Sequence, residues 1–111
     1  MGAFTRGSVV LVQFPFSDLS QTKLRPAVVL AAAEMGDYVL CQITSNAYGG
    51  SNVELTQADF ARGSLQRTSY ARPAKLFTAS DQLIKSEVGV LSPPALTRIV
   101  DVIVKLLRDI R

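Results

Sequence analysis

The sequence contains no histidine and no tryptophan, and it has a single cysteine. Without histidine there is no Ser-His or Cys-His pair, and both the commonest general base and the commonest zinc ligand are missing. The lone Cys41 rules out an intrachain disulfide. It stands in the apolar run "YVLCQIT", where a small buried hydrophobe is expected rather than a nucleophile. No carboxylate or His/Cys cluster suggests a metal site, so neither a metal nor another cofactor is expected. No apolar run approaches the roughly 20 residues of a membrane helix. The opening "MGAFTRGSVVLVQF" lacks the apolar stretch and cleavage site of a signal peptide. A soluble cytoplasmic protein without a membrane partner is expected.

What is present is a short apolar chain with a mild basic excess. Its 111 residues favour a single domain spanning 1–111, and the 48% apolar content favours a folded core over disorder. The net charge of +3 comes from 12 basic and 9 acidic residues, unevenly spread. From Arg62 to Lys85 the chain carries Arg62, Arg67, Arg72, Lys75 and Lys85 against Asp81 alone. Such an excess suits a phosphate backbone or an acidic peptide, and ordinary solvated charge accounts for it equally well.

Periodicity predicts a mainly β fold. "SVVLVQF" reads as a strand with Val10, Val12 and Phe14 on one face and Val9, Leu11 and Gln13 on the other. "PFSDLSQTKL" reads as loop, and "RPAVVLAAA" and "DYVLCQITS" as strands joined by a turn at "EMGD". "NVELT" is a short strand, and "TQADFARG" reads as one helical turn capped by Thr56 and ended by Gly63. "TSYARPAKLFTA" is an interrupted strand whose Pro73 implies an edge or a bulge, and "SEVGVLS" is a further strand. A C-terminal amphipathic helix follows, with Ser92 as N-cap, Pro93 in the first position, and Leu96, Ile99, Val100, Ile103, Leu106, Leu107 and Ile110 at helical spacing. That apolar stripe is read as core, with a dimer or partner contact as the alternative. Short, closely spaced strands with a terminal helix suggest a small curved sheet or barrel, without choosing among small β barrels.

Three stretches carry a resemblance: "GSVVLVQFPFSDLSQTKLRPAVVL", then "CQITS", then "SYARPAKLFTASDQLI". In this order and spacing they resemble the MazF/PemK family of type II toxin–antitoxin ribonucleases, most closely its PemK-like branch. The resemblance covers nearly the whole chain. It implies an SH3-like small β barrel with accessory helices, including a C-terminal one. It also implies a homodimer that cleaves single-stranded RNA without metal and leaves a cyclic phosphate and a 5′-hydroxyl. The implied partner is a cognate antitoxin whose acidic, disordered C-terminal segment occupies the RNA groove, the complex with it being the species that contacts DNA. By position in the motif, the resemblance implies Arg25 and Thr44 as the main catalytic pair. It also places the segment from Ser17 to Leu24 beside the RNA groove.

The chemistry of those residue types agrees. RNA is cut by its own 2′-hydroxyl, so a protein need only align that oxygen with the phosphorus, stabilise the phosphorane and help move protons. Arginine's planar fork gives paired, charge-assisted hydrogen bonds to phosphate, and threonine adds a compact hydroxyl. Pro26 biases Arg25 towards extended backbone. Asp18 and Lys23 are candidates for RNA contact, with turn-forming or solvated roles as the alternative, and Ser17 belongs to the same segment. Ser45 and Asn46, next to Thr44, are placed to read a base edge or a phosphate, with turn capping as the alternative for Asn46. Tyr48 and Tyr70 are stacking candidates, or rim packing.

One stretch departs from the family. Many members carry an arginine and an aspartate near the fifth strand, whereas this sequence reads "KLFTASD", with Phe77 and Thr78 where that arginine and its neighbour would stand. Arg72 and Lys75 are the local candidates for phosphate contact, with a structural ion pair as the alternative. Two other functions remain open at this level: a non-catalytic nucleic-acid or peptide-binding barrel, and a gyrase-directed toxin of the same fold.

Overall fold

The central strands carry apolar residues on both faces, and each face packs into a core of its own. In the computed structural model, which describes residues 4–15, 22–47 and 52–109, seven strands form one antiparallel sheet. They are β1 (Ser8–Pro15), β2 (Thr22–Ala32), β3 (Asp37–Thr44), β4 (Val53–Leu55), β5 (Phe60–Gly63), β6 (Ser69–Ser80) and β7 (Ile84–Leu91), ordered β4-β6-β3-β2-β1-β7-β5. The sheet curls into a half-barrel, and one helix, α1 (Pro93–Arg108), closes one side. The expected mainly β fold with a C-terminal helix is what forms.

Consecutive residues feed opposite cores. Val9, Val28, Cys41, Ile43, Ala71 and Leu91 pack with Ala95, Ile99 and Ile103 of α1. Their neighbours Val10, Ala27, Val29 and Leu40 pack instead with Val12, Tyr38, Ala79 and Ile84 on the other face. Full burial of each aliphatic side chain stabilises the fold by about 1.5–3 kcal/mol relative to exposure, so a one-residue slip of β1 or β2 would exchange two whole cores.

Ser92 caps α1 as expected: its Oγ accepts from the Ala95 backbone N–H at 3.4 Å, and proline opens the helix. The apolar stripe is core only in part. Ala95, Ile99 and Ile103 are buried, whereas Val104, Leu106 and Leu107 are exposed, Leu107 by 70%. Ile110 lies outside the described residues. α1 packs on β4 and β6, and the side chains of its last turn are exposed.

Two segments differ from their sequence reading. The "TQADFARG" turn is helical only over Gln57–Asp59, as a 3-10 turn, where the Thr56 backbone N–H donates to Asp59 Oδ2 at 2.8 Å. Phe60–Gly63 is instead strand β5, because Phe60 packs on the core and the segment pairs with β7. Within "PFSDLSQTKL", Thr22, Lys23 and Leu24 are strand, paired in register with Pro15, Phe14 and Gln13. Backbone pairing there outweighs a polar composition that by itself favours loop.

Pro73 resides in a bulge. Between Cys41↔Leu76 and Ile43↔Ala71, two steps along β3 match five along β6. The missing N–H of Pro73 therefore falls where the ladder is already broken, although β6 is an inner strand.

Candidate nucleic-acid interface

The β2–β3 ladder sets the site. Its last paired residues are Ala27 and Gln42, and continuing that register by two residues places Arg25 opposite Thr44. On its other side Arg25 is paired with the buried Val12 of β1. The guanidinium therefore departs from a backbone held by two strands and stiffened by Pro26.

Arg25 and Thr44 share a cleft of about 210 Å³ with Leu24, Pro26, Ile43, Ser45 and Asn46. Leu65, Arg67 and Ser69 complete the wall. Among the described residues that line it there are two cations and no carboxylate, so its potential favours an anion. The Thr44 hydroxyl accepts the Asn46 backbone N–H at 3.1 Å. That bond caps the turn after β3 and occupies a lone pair of the oxygen, leaving its proton for donation into the cleft. Ser45 and Asn46 are exposed, and the capping at Asn46 runs through its backbone, so its side-chain amide is not consumed by it.

The other expected contacts fall elsewhere. Lys23 is exposed on β2, on the same strand face as Arg25 but outside the cleft wall. Arg72 Nη1 donates to Gln42 Oε1 at 3.5 Å across the β6 bulge, and Gln42 is two residues from Thr44 on the same face of β3. Lys75 lines a separate depression of about 200 Å³ with Gln42, Leu76 and Phe77. The structure thus brings Arg25, Thr44, Ser45 and Asn46 together, and sets Arg72 and Lys75 further along the same sheet. Ser17, Asp18 and Tyr48 lie outside the described residues. Tyr70 is half-buried on β6, between Thr44 and Glu54 in the pairing.

Sequence reading overlooked Arg67, Leu65 and Ser69 as site residues. Their place in the cleft depends on the β5–β6 connection folding back towards the end of β3. Membership of the basic run was the only signal Arg67 carried. Cys41 is fully buried, its thiol donates to the Arg72 carbonyl at 3.2 Å, and burial pushes its pKa up to about 11. It is a packing residue, as expected. Among the described residues no three His, Cys, Asp or Glu side chains are grouped to hold a metal ion, and no helix is long and apolar enough to cross a membrane.

A curled antiparallel sheet of seven strands with one C-terminal helix is the fold of MazF-like toxins, and comparison of the whole chain agrees. Residues 5–107 match the family described as PemK-like, MazF-like toxin of type II toxin–antitoxin system, and the chain belongs to that family. No curated protein is significantly similar in sequence. Among solved structures, the MazE–MazF complex of Deinococcus radiodurans superposes with a TM-score of 0.77 at 19% identity, covering 96% of this chain and 97% of that one. The Mycobacterium tuberculosis toxin MazF-mt6 gives 0.70 at 17% identity over 90% and 95%. An endoribonuclease in complex with its cognate antitoxin, from a mycobacterial species, gives 0.66 at 17% identity over 96% and 93%. At these identities the likeness is one of fold.

Proposed function

We propose that the chain is a metal-independent, sequence-selective endoribonuclease that cleaves single-stranded RNA and so arrests translation and growth, with Arg25 and Thr44 at its centre. The observation that carries this reading is that Arg25 and Thr44, on neighbouring strands, line one cleft whose described residues include no carboxylate. In the proposed reaction the substrate's 2′-oxygen attacks the adjacent phosphorus and the bond to the 5′-oxygen breaks. The products are a 2′,3′-cyclic phosphate and a 5′-hydroxyl. The 2′-hydroxyl proton passes to water, and water delivers a proton to the departing 5′-oxygen, so that no net proton is gained or lost. Arg25 stabilises the charge that grows on the non-bridging oxygens, and the Thr44 hydroxyl donates to one of them. A guanidinium holds its protons too tightly to serve as an ordinary base, so its part is electrostatic.

Family membership supports a partner antitoxin, and relatives of the same fold are complexes with one. An acidic, disordered antitoxin segment is complementary to the cationic cleft and would compete with RNA. The working form is proposed to be a cytoplasmic homodimer that contacts DNA through the antitoxin complex. Ser45 and Asn46 border the scissile position. Lys23, Arg72 and Lys75 supply phosphate contacts further along the strand, and Ser17 and Asp18 belong to the segment beside it.

The test is incubation of purified protein with single-stranded RNA in EDTA, beside Arg25→Ala and Thr44→Ala, with analysis of the product ends. Metal-free cleavage to cyclic phosphate ends, reduced about 10²–10³-fold in Arg25→Ala with the fold intact, is expected. Wild-type rates in both variants, or a strict need for divalent metal, would overturn the assignment. Binding without cleavage would make the protein a nucleic-acid-binding module instead.

A further inference from the structure

The cleft does not end at its wall. Arg67 and Leu65 are shared with a second depression of about 250 Å³, lined further by Gln57, Phe60, Ser64, Gln66 and Thr68. The two hollows adjoin, with one exposed guanidinium on the partition between them. We infer that Arg67 and the hollow beyond it form a second nucleotide subsite, which takes the nucleotide flanking the scissile phosphate. The inference rests on the ribonuclease reading above and extends it to a residue and a hollow outside the Arg25–Thr44 centre.

Three observations carry the argument. The first is continuity: a strand whose phosphate lies at Arg25 and Thr44 meets Arg67 on the way into the adjoining hollow. The second is the chemistry of the lining. Gln66 and Thr68, with Ser64, offer both donors and acceptors, as base edges require, and Phe60 and Leu65 supply an apolar floor. Gln57 already donates its amide N–H to the Gly63 carbonyl at 3.3 Å, which leaves its carbonyl oxygen to accept from a base amino group. The third is rigidity. Gln66 adopts a left-handed backbone with φ of 68°, and its N–H donates to Ser64 Oγ at 2.7 Å. On the other side the buried Ser69 hydroxyl donates to the Arg67 carbonyl at 3.2 Å. Arg67 is therefore presented from a loop whose backbone is hydrogen-bonded on both sides, so the ordering cost of binding falls on its side chain more than on its backbone.

Arg67 then makes a phosphate contact of the kind common to ground state and transition state, which raises KM and leaves kcat nearly unchanged when removed. Steady-state cleavage is to be measured for wild type, Arg67→Ala and Arg67→Lys. The substrates are oligoribonucleotides shortened one nucleotide at a time from either end. In Arg67→Ala, kcat/KM is expected to fall about tenfold, mainly through KM. The slope of log affinity against log salt should become shallower by about 0.7, the value of one lost single-strand phosphate contact. Arg67→Lys should restore the slope but only part of the affinity. The shortening step that empties the subsite should cost wild type about tenfold in kcat/KM and cost Arg67→Ala little. Equal costs of that step in both proteins, or an unchanged KM and salt slope in Arg67→Ala, would overturn the inference while leaving the ribonuclease reading intact. Absence of RNA cleavage by wild type would instead overturn the ribonuclease reading, and the subsite with it.

Discussion

Two glycines with the same backbone requirement should respond very differently to alanine. Gly36 and Gly63 both have positive φ, of 80° and 74°. An alanine at either pays about 1 kcal/mol, the left-handed penalty being partly offset by the freedom removed from the unfolded chain. At Gly36 an added methyl meets only the Asp81 carboxylate, at 3.7 Å or more, which is ordinary contact. At Gly63 it would run into the Val88 carbonyl oxygen and approach the Gly89 Cα to 2.5 Å. That obstacle is the backbone of β7, and Gly63 is paired with Gly89 at the end of β5. The strands must part, which adds about 1–3 kcal/mol of overpacking. Gly36→Ala is thus expected to cost about 1 kcal/mol and Gly63→Ala about 2–4 kcal/mol, at roughly 4–8 °C of melting temperature per kcal/mol. Urea denaturation followed by circular dichroism reads both. Because the loop carrying Arg67 begins at Ser64, Gly63→Ala should also lower kcat/KM more than Gly36→Ala does. Equal stability losses in the two variants would refute the argument that β7 closes directly over Gly63.

Asp59 sits under the last strand-to-helix corner, and its carboxyl is held below the ordinary carboxylate range. The Thr56 backbone N–H is the main cause, burial opposes it, and Arg98 assists with Nη2 at 3.0 Å from Oδ1. A depressed carboxylate pKa contributes stability that is complete above the unfolded value and disappears as pH falls through the folded one. Asp59→Asn should therefore melt several degrees below wild type at pH 7, for a loss of about 1 kcal/mol, and the two melting curves should converge in acid. Met35 holds φ of 62° in the turn between β2 and β3 and is 94% exposed, so its side chain gains little for that strain. Met35→Asn, giving the Asn-Gly pair favoured in such turns, should raise stability by about 0.5–1 kcal/mol in the same urea assay.

Sequence alone determined the parts whose signals are local. Alternating apolar residues placed β1, β3 and β7, and Ser92 with its proline and the 3.6-residue spacing placed α1, because each signal is contained within a few consecutive residues. The motif around Arg25 and Thr44 could likewise be read along the chain. Their meeting could not, since it depends on the register of β2 against β3, which two whole cores enforce. Phe60–Gly63 became strand rather than helix for the same reason: β7 offered an edge that no local propensity reveals. Arg67 shows the limit most clearly. Its sequence neighbourhood marks it only as one of a basic run, and the fold of the β5–β6 connection carries it to the mouth of a cleft whose centre lies on strands more than twenty residues earlier. Local periodicity thus settles elements, whereas a site assembled from distant strands is settled by register and packing, which are properties of the whole sheet.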